Sequence, residues 1–265
     1  MTLFIREMKG NTKSFIIWTA CIVALTAMFM AMYPSFAEQG KMLNDMLSNF
    51  SPQIIQMFGF DSLDFTRTMD YYAYIFQYVL LATMIQFMLL GSGLLSKEED
   101  SGTISFLYAK PLSRSYIAGT KLLAGIACIA AFFVVNTAAV IAILSAVNKT
   151  GLDYGVVILL GAAMALGQLM MLGAGMLVSM FVIKARAVTS ASIGVVLVLY
   201  VVSMFANMNS DIEWLKCVTP FQYFDARSII ADAAIDWIYI ALPLGIAAVC
   251  AAATLMIYNR RDLKC

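Results

Sequence analysis

Six long stretches without a charged residue divide this sequence. They cover 14–37, 71–96, 122–148, 154–183, 187–210 and 237–259, and they are 24, 26, 27, 30, 24 and 23 residues long. A helix needs about 20 apolar residues to cross about 30 Å of hydrocarbon, whereas the next longest uncharged run, 46–60, has 15. The pattern predicts an all-α polytopic membrane protein with six transmembrane helices at these positions, in a single domain over 1–265.

Composition and charge placement agree with this prediction. The chain is 62% hydrophobic and 12% charged, whereas a soluble domain is about half apolar and about a quarter charged. With the amino terminus inside, the inner segments hold twelve of the 17 Lys and Arg residues but only five of the 16 acids. Because Lys and Arg near span ends favour the cytoplasm, both termini are predicted to be cytoplasmic.

Three segments between or before the spans are amphipathic. At the start, Phe4, Ile5 and Met8 share a face that basic residues surround, which predicts a short helix on the inner leaflet surface. In the outer segment 38–70, a helical stripe runs from Leu43 to Ile54, and Pro52 ends or bends it. This helix either lies on the outer leaflet or forms a gate. The outer segment 211–236, interrupted by Pro220, is either interfacial or a short re-entrant pair.

Several classes of chemistry are missing from the sequence. The chain has no histidine, no Asp, Glu, Lys or Arg within the six long runs and no GxxxxGK[ST] motif, and its five cysteines are scattered. An ion-coupled transporter or a membrane metalloenzyme normally needs such groups. We therefore expect no enzyme activity, no catalytic or metal site and no cofactor on this chain.

Uncharged polar residues within the spans give a candidate substrate path. The alternative is that they form hydrogen bonds between helices, which is common for such groups in membranes. The fourth span also carries small residues, including Gly161, Gly173 and Gly175, whose spacing favours close helix packing within or between subunits. The candidate path consists of Gln77, Gln86, Asn136 and Gln168.

The most polar insert follows the second span and reads SKEEDSGTISFLYAKPLSRSYIAGTK, 96–121. Three consecutive acids oppose the dipole at a helix carboxyl end, so they are predicted to begin a new short helix that Pro111 ends. The insert is either a solvated loop with its apolar side on the membrane or a helix that docks in a partner's groove. The predicted docking residues are Glu98, Glu99, Asp100, Gly102, Thr103, Ile104, Phe106, Leu107, Tyr108, Lys110, Pro111 and Arg114.

The insert and the residue after it contain the pattern Glu98-x-x-x-Gly102-Thr103, Phe106-Leu107, Lys110-Pro111, Ser113-Arg114, Ile117 and Lys121-Leu122. This pattern resembles the cytoplasmic signature of ABC-2 type permeases, the membrane subunits of ATP-binding-cassette transporters. The resemblance covers the whole chain. It implies that the insert is a coupling helix that docks on a separate ATPase subunit, and that ATP and Mg are bound there. It also implies two ATPase copies, a second permease copy (a homodimer or a homologous permease), and a multi-pass location in a bacterial plasma membrane.

Two functions of different classes follow from these observations. The first is the permease subunit of an ABC exporter that moves a hydrophobic, amphiphilic or peptide substrate. The second is a non-transporting membrane scaffold or sensor that uses the 97–121 loop to recruit a cytoplasmic partner. Both need the docking surface, but only the first needs a substrate path.

Overall fold

The structure is a computed structural model that describes residues 2–47, 49–51, 55, 64–100, 113–148, 151–182, 185–207 and 219–260. In these ranges six helices are long and apolar enough to cross a membrane, and no residue lies in a strand. The all-α, six-span prediction is confirmed. The long helices are α1 (Thr2–Glu38), α3 (Thr68–Asp100), α4 (Arg114–Val147), α5 (Tyr154–Phe181), α6 (Ala185–Ala206) and α9 (Trp237–Arg260).

Helices α3 and α5 form the centre of the bundle, and the other long helices pack around them. Two glycines make their contact close. A Cβ on Gly91 of α3 would collide with the backbone of Leu172, and a Cβ on Gly175 of α5 would collide with the backbone of Met88 and Ser92. Gly173 likewise faces Ala247 of α9, and Gly161 faces Thr137 of α4. The small residues of the fourth span therefore serve packing within this subunit.

Helix α1 is longer than the sequence pattern predicted. The amphipathic start is not a separate surface helix, because α1 runs without a break from Thr2 through the first span. Its 37 residues measure about 55 Å at 1.5 Å per residue. The Asn11 side chain donates to the Glu7 carbonyl and Thr12 Oγ1 donates to the Met8 carbonyl, so these polar side chains bond within the helix. The start of α1 packs on the bundle, where Leu3 is buried and Met8 Sδ lies 4.0 Å from Cys128 Sγ.

The second correction concerns the three acids after the second span. Helix α3 continues through Glu98, Glu99 and Asp100, so their backbone forms its last turn and does not begin a new helix. A charge at a helix terminus changes stability by only about 0.3–1 kcal/mol and is screened by salt. Glutamate is a good helix former, and Lys97 lies in the same turn with the favourable sign.

Within the described ranges, three short helices lie at the end of the bundle opposite the start of α1. They are α2 (Gly40–Leu47), α7 (Pro220–Tyr223) and α8 (Ala226–Asp232). The predicted helix is present as α2 up to Leu47, but Phe50, the next member of the predicted stripe, lies in a bend beyond its end, and 52–54 lies outside the described residues. The short pair α7 and α8 packs on the bundle, with Phe221, Tyr223 and Phe224 buried by protein. Trp237, at the start of α9, is exposed.

Candidate functional site

A buried lysine joins three helices at the end of the bundle where α1 begins. Lys121, in the second turn of α4, has a side chain that is only 1% exposed. Its Nζ donates to Glu7 Oε1 of α1 at 3.1 Å and to the Leu94 carbonyl of α3. A buried ammonium is tolerated only when it is paired and hydrogen-bonded, and these two acceptors supply both conditions. The sequence pattern had placed Lys121 outside the third span, but the structure buries it in the bundle.

A second lysine makes a related contact between α1 and α3. Lys97 Nζ donates to Asn11 Oδ1 at 2.9 Å, and the aliphatic part of Lys97 folds back along α3 over Gly93. Glu7 and Asn11 are four residues apart, so they project from the same face of α1. We call Glu7, Asn11, Lys97 and Lys121 the amino-terminal polar cluster. It ties the end of α3 and the start of α4 to the same two turns of α1.

The beginning of α4 also contacts the end of the last span. Ser113 caps α4 by accepting from the Tyr116 amide at 3.2 Å. The half-buried Arg114 donates from Nη1 to the carbonyls of Tyr258 and Asn259 on α9, each at 3.4 Å. A cation at the carboxyl end of a helix satisfies carbonyls that lack an intrahelical partner. Arg114, predicted to contact a partner protein, therefore also has a role within the chain.

The other predicted docking residues lie at the end of α3 and in the segment that follows it. For Glu98, Glu99 and Asp100 the structure describes the backbone in α3, while 101–112 lies outside the described residues. The helix predicted within this loop therefore stays a prediction. The flanks of the loop are described, and they are the segments that the amino-terminal polar cluster and Arg114 hold.

Two of the four residues of the candidate substrate path line separate cavities among the described residues. Gln77 lines a small polar cavity between α3, α6 and the α7–α8 pair. Gln86 lines a different cleft between α1, α3 and α6. Asn136 and Gln168 are buried, 3% and 0% exposed, and neither lines a cavity described here. Within the described residues, Asn136 Nδ2 lies 3.8 Å from Met164 Sδ, and both side-chain polar atoms of Gln168 lack a hydrogen bond.

The cavity beside Gln77 contains a polar network that the sequence reading missed. Gln222 Nε2 donates to Asn207 Oδ1 at 2.7 Å and to Ser203 Oγ at 3.3 Å, which links α7 to α6. Asp225 caps α8 and forms an ion pair with Arg227 at 3.1 Å. These bonds hold the short helices against the bundle. The polar residues Ser203 and Gln222 were visible in the sequence, but their pairing required the three-dimensional arrangement.

The described residues contain no group of three or more His, Cys, Asp or Glu residues placed to hold a metal ion. Cys21, Cys128 and Cys250 are free thiols. The ionisable side chains of the amino-terminal polar cluster bond α1, α3 and α4 to one another.

Comparison with known proteins agrees with this architecture. The sequence pattern of the ABC-2 family transporter protein matches residues 1–263, almost the whole chain. A search among curated proteins found no match. The family is a transmembrane component of transporters, in accordance with the six long apolar helices. This chain is a multi-pass membrane protein that belongs to the ABC-2 family of transporter proteins.

Proposed function

We propose that this protein is the membrane-spanning permease subunit of an ABC exporter. Its substrate is hydrophobic, amphiphilic or peptidic, and the energy comes from ATP hydrolysis on a separate ATPase that binds ATP and Mg. The working unit contains two ATPases and two permease chains in a bacterial plasma membrane, with both termini cytoplasmic. Membership of the ABC-2 family and the surplus of Lys and Arg in the segments assigned to the cytoplasm support this proposal.

One observation carries the coupling mechanism. The two helices that flank the 101–112 loop are fastened to each other and to α1, because Lys121 of α4 bonds both Leu94 of α3 and Glu7 of α1. When an ATPase displaces the loop, the end of α3, the start of α4 and the start of α1 move together. Packed helices transmit displacement because interiors are dense and resist compression. One displacement of the loop then moves the three spans α1, α3 and α4.

The loop itself supplies the docking contact. We assign Ile104, Phe106 and Leu107 to an apolar groove of the ATPase, and Lys110 to acidic groups beside it. Aromatic anchors commonly dominate such contacts, and a helix in a groove is a common recognition mode. Arg114 contributes at the edge, where its contacts with α9 limit its reach.

The test is reconstitution of the chain in lipid vesicles with its ATPase, measuring substrate-stimulated ATP hydrolysis. We expect Phe106→Asp and Glu98→Lys to abolish stimulation while the chain stays folded and the basal ATPase rate is unchanged. Arg67→Glu is the matched control, since Arg67 is exposed at the opposite end of the bundle. Full stimulation in both loop variants would contradict the proposal. A partner that binds the loop but has no nucleotide activity would favour the scaffold alternative.

A further inference from the structure

A cleft between α1, α3 and α6 opens beside the amino-terminal polar cluster, with a volume of about 320 Å³. Its lining changes in character along the helices. Asn11, Ser14, Ser96 and Lys97 lie at the end near the helix termini. Phe15, Trp18, Leu89 and Leu90 lie farther into the span, and all four are half-buried. The cleft therefore has a polar, cationic mouth and an apolar interior.

The position of the mouth matches the headgroup region of a bilayer. The uncharged run 71–96 has 26 residues, which is about 39 Å of helix, and a bilayer including its headgroups is about 40–45 Å thick. Lys97 follows this run directly and its side chain folds back over Gly93, so we place its ammonium at the boundary between headgroups and acyl chains. Trp18 lies seven residues beyond Asn11 along α1, about 10 Å deeper. The apolar walls thus lie at the depth of acyl chains.

Lys97 can supply a cation to a ligand in the mouth. Glu7, the carboxylate of the amino-terminal polar cluster, is already paired with Lys121. Lys97 is exposed, and its described partner is the neutral amide of Asn11. An ammonium carries three donors, so Lys97 can donate to a phosphate while it keeps its bond to Asn11. The four residues of the cluster together carry one net positive charge, and three acids, Glu98, Glu99 and Asp100, follow Lys97 in the last turn of α3.

Gln86 marks the deep end of the cleft. It is 5% exposed and lines the cleft together with Leu89 and Leu90. Gln86 and Lys97 are eleven residues apart on α3, about 16 Å. A chain that enters from the headgroup layer at Lys97 reaches Gln86 along the apolar wall.

We propose that this cleft is a binding site for an anionic phospholipid, with the phosphate on Lys97 and an acyl chain along Phe15, Trp18 and Leu89. The lipid is a bound component of the permease and not its cargo. It fills the groove between α1 and α6, next to the cluster that ties α1 to α3 and α4. The proposal does not depend on the proposed function, because binding requires neither an ATPase nor a nucleotide.

Trp18 provides the probe. The chain has three tryptophans, and Trp214→Phe with Trp237→Phe leaves Trp18 alone. This variant is reconstituted, without an ATPase, in phosphatidylcholine vesicles that contain increasing fractions of brominated phosphatidylglycerol or brominated phosphatidylcholine. Bromine quenches the indole only at close range. We expect brominated phosphatidylglycerol to quench Trp18 with about fivefold preference, the ratio expected for one lysine near an anionic headgroup.

Three further variants decide the assignment. Lys97→Gln should reduce the preference to about one, and Lys97→Arg should keep it. Lys13→Gln removes the same charge from the exposed opposite side of α1 and should leave the preference unchanged. If Lys97→Gln fails to fold, Ser14→Phe, which fills the mouth without removing the charge, should weaken quenching instead.

Each alternative has its own result. Equal quenching by the two brominated lipids, or an unchanged preference in Lys97→Gln, would show ordinary surrounding lipid and overturn the proposal. Inorganic phosphate should not relieve the quenching, and displacement by phosphate would assign the site to a free anion. A loss of ATPase stimulation would leave this result unchanged, so the two proposals fail separately.

Discussion

Lys121 and Glu7 are 114 positions apart in the sequence, yet their side chains form an ion pair of 3.1 Å that is almost closed to solvent. The exposed fractions are 1% for the lysine and 11% for the glutamate. Removing one partner of a buried pair is costly because the other charge loses its compensation. Of the contacts in the amino-terminal polar cluster, this pair is therefore the one whose loss should destabilise the protein most.

We predict that Glu7→Gln and Lys121→Met each lower the free energy of unfolding, on the order of 3 kcal/mol. The double variant should lose less free energy of unfolding than the two single variants together, because it leaves neither charge without its partner. Titration with a denaturing detergent, followed by circular dichroism, measures all three. Lys9→Met, at an exposed site on α1, is the control and should change little. Strict additivity of the two single changes would contradict a direct interaction.

The sequence predicts the spans better than it predicts this cluster, for a physical reason. The length of an uncharged run is a property of each segment alone, because the run must match the thickness of the bilayer. All six runs correspond to long helices. The burial of Lys121 depends on Glu7 and Leu94, which are distant in the chain. The helix-dipole argument for Glu98 was wrong because a weak terminal effect was set against helix propensity and backbone hydrogen bonds.

A second prediction concerns the contact between the two central helices. Gly91→Val should strongly destabilise the bundle, because its side chain would meet the Leu172 backbone, which cannot move aside as a flexible side chain can. Overpacking of this kind costs about 1–3 kcal/mol and occasionally more. Thermal unfolding in mild detergent, read by size-exclusion chromatography, checks it. Gly194→Val in α6, where a Cβ would meet nothing within 4 Å, should be tolerated, and equal losses at both sites would refute the packing argument.

A third prediction concerns Gln168, a residue of the candidate substrate path whose two side-chain polar atoms have no hydrogen bond within the described residues. If this side chain serves only packing, Gln168→Met should raise the stability by about 1 kcal/mol or more, because an unpartnered buried amide is replaced by an apolar group of similar length. Transport should then be unchanged. Thr254→Val, which removes the bonded hydroxyl of Thr254 on α9, is a control that should not stabilise. Loss of transport in Gln168→Met without a gain in stability would return Gln168 to the substrate path.

The last prediction separates two roles at the boundary of the docking loop. Arg114 bonds the final carbonyls of α9, whereas Lys110 lies outside the described residues. Arg114→Met should therefore lower the stability of the permease by about 1.5–3 kcal/mol, the range for hydrogen bonds to a charged group, and should weaken ATPase binding only slightly. Lys110→Met should do the reverse, leaving stability unchanged while weakening binding. Thermal unfolding and pull-down of the ATPase from the same vesicles measure the two effects side by side. If Arg114→Met leaves the unfolding temperature unchanged but abolishes ATPase binding, Arg114 acts on the partner and not on α9.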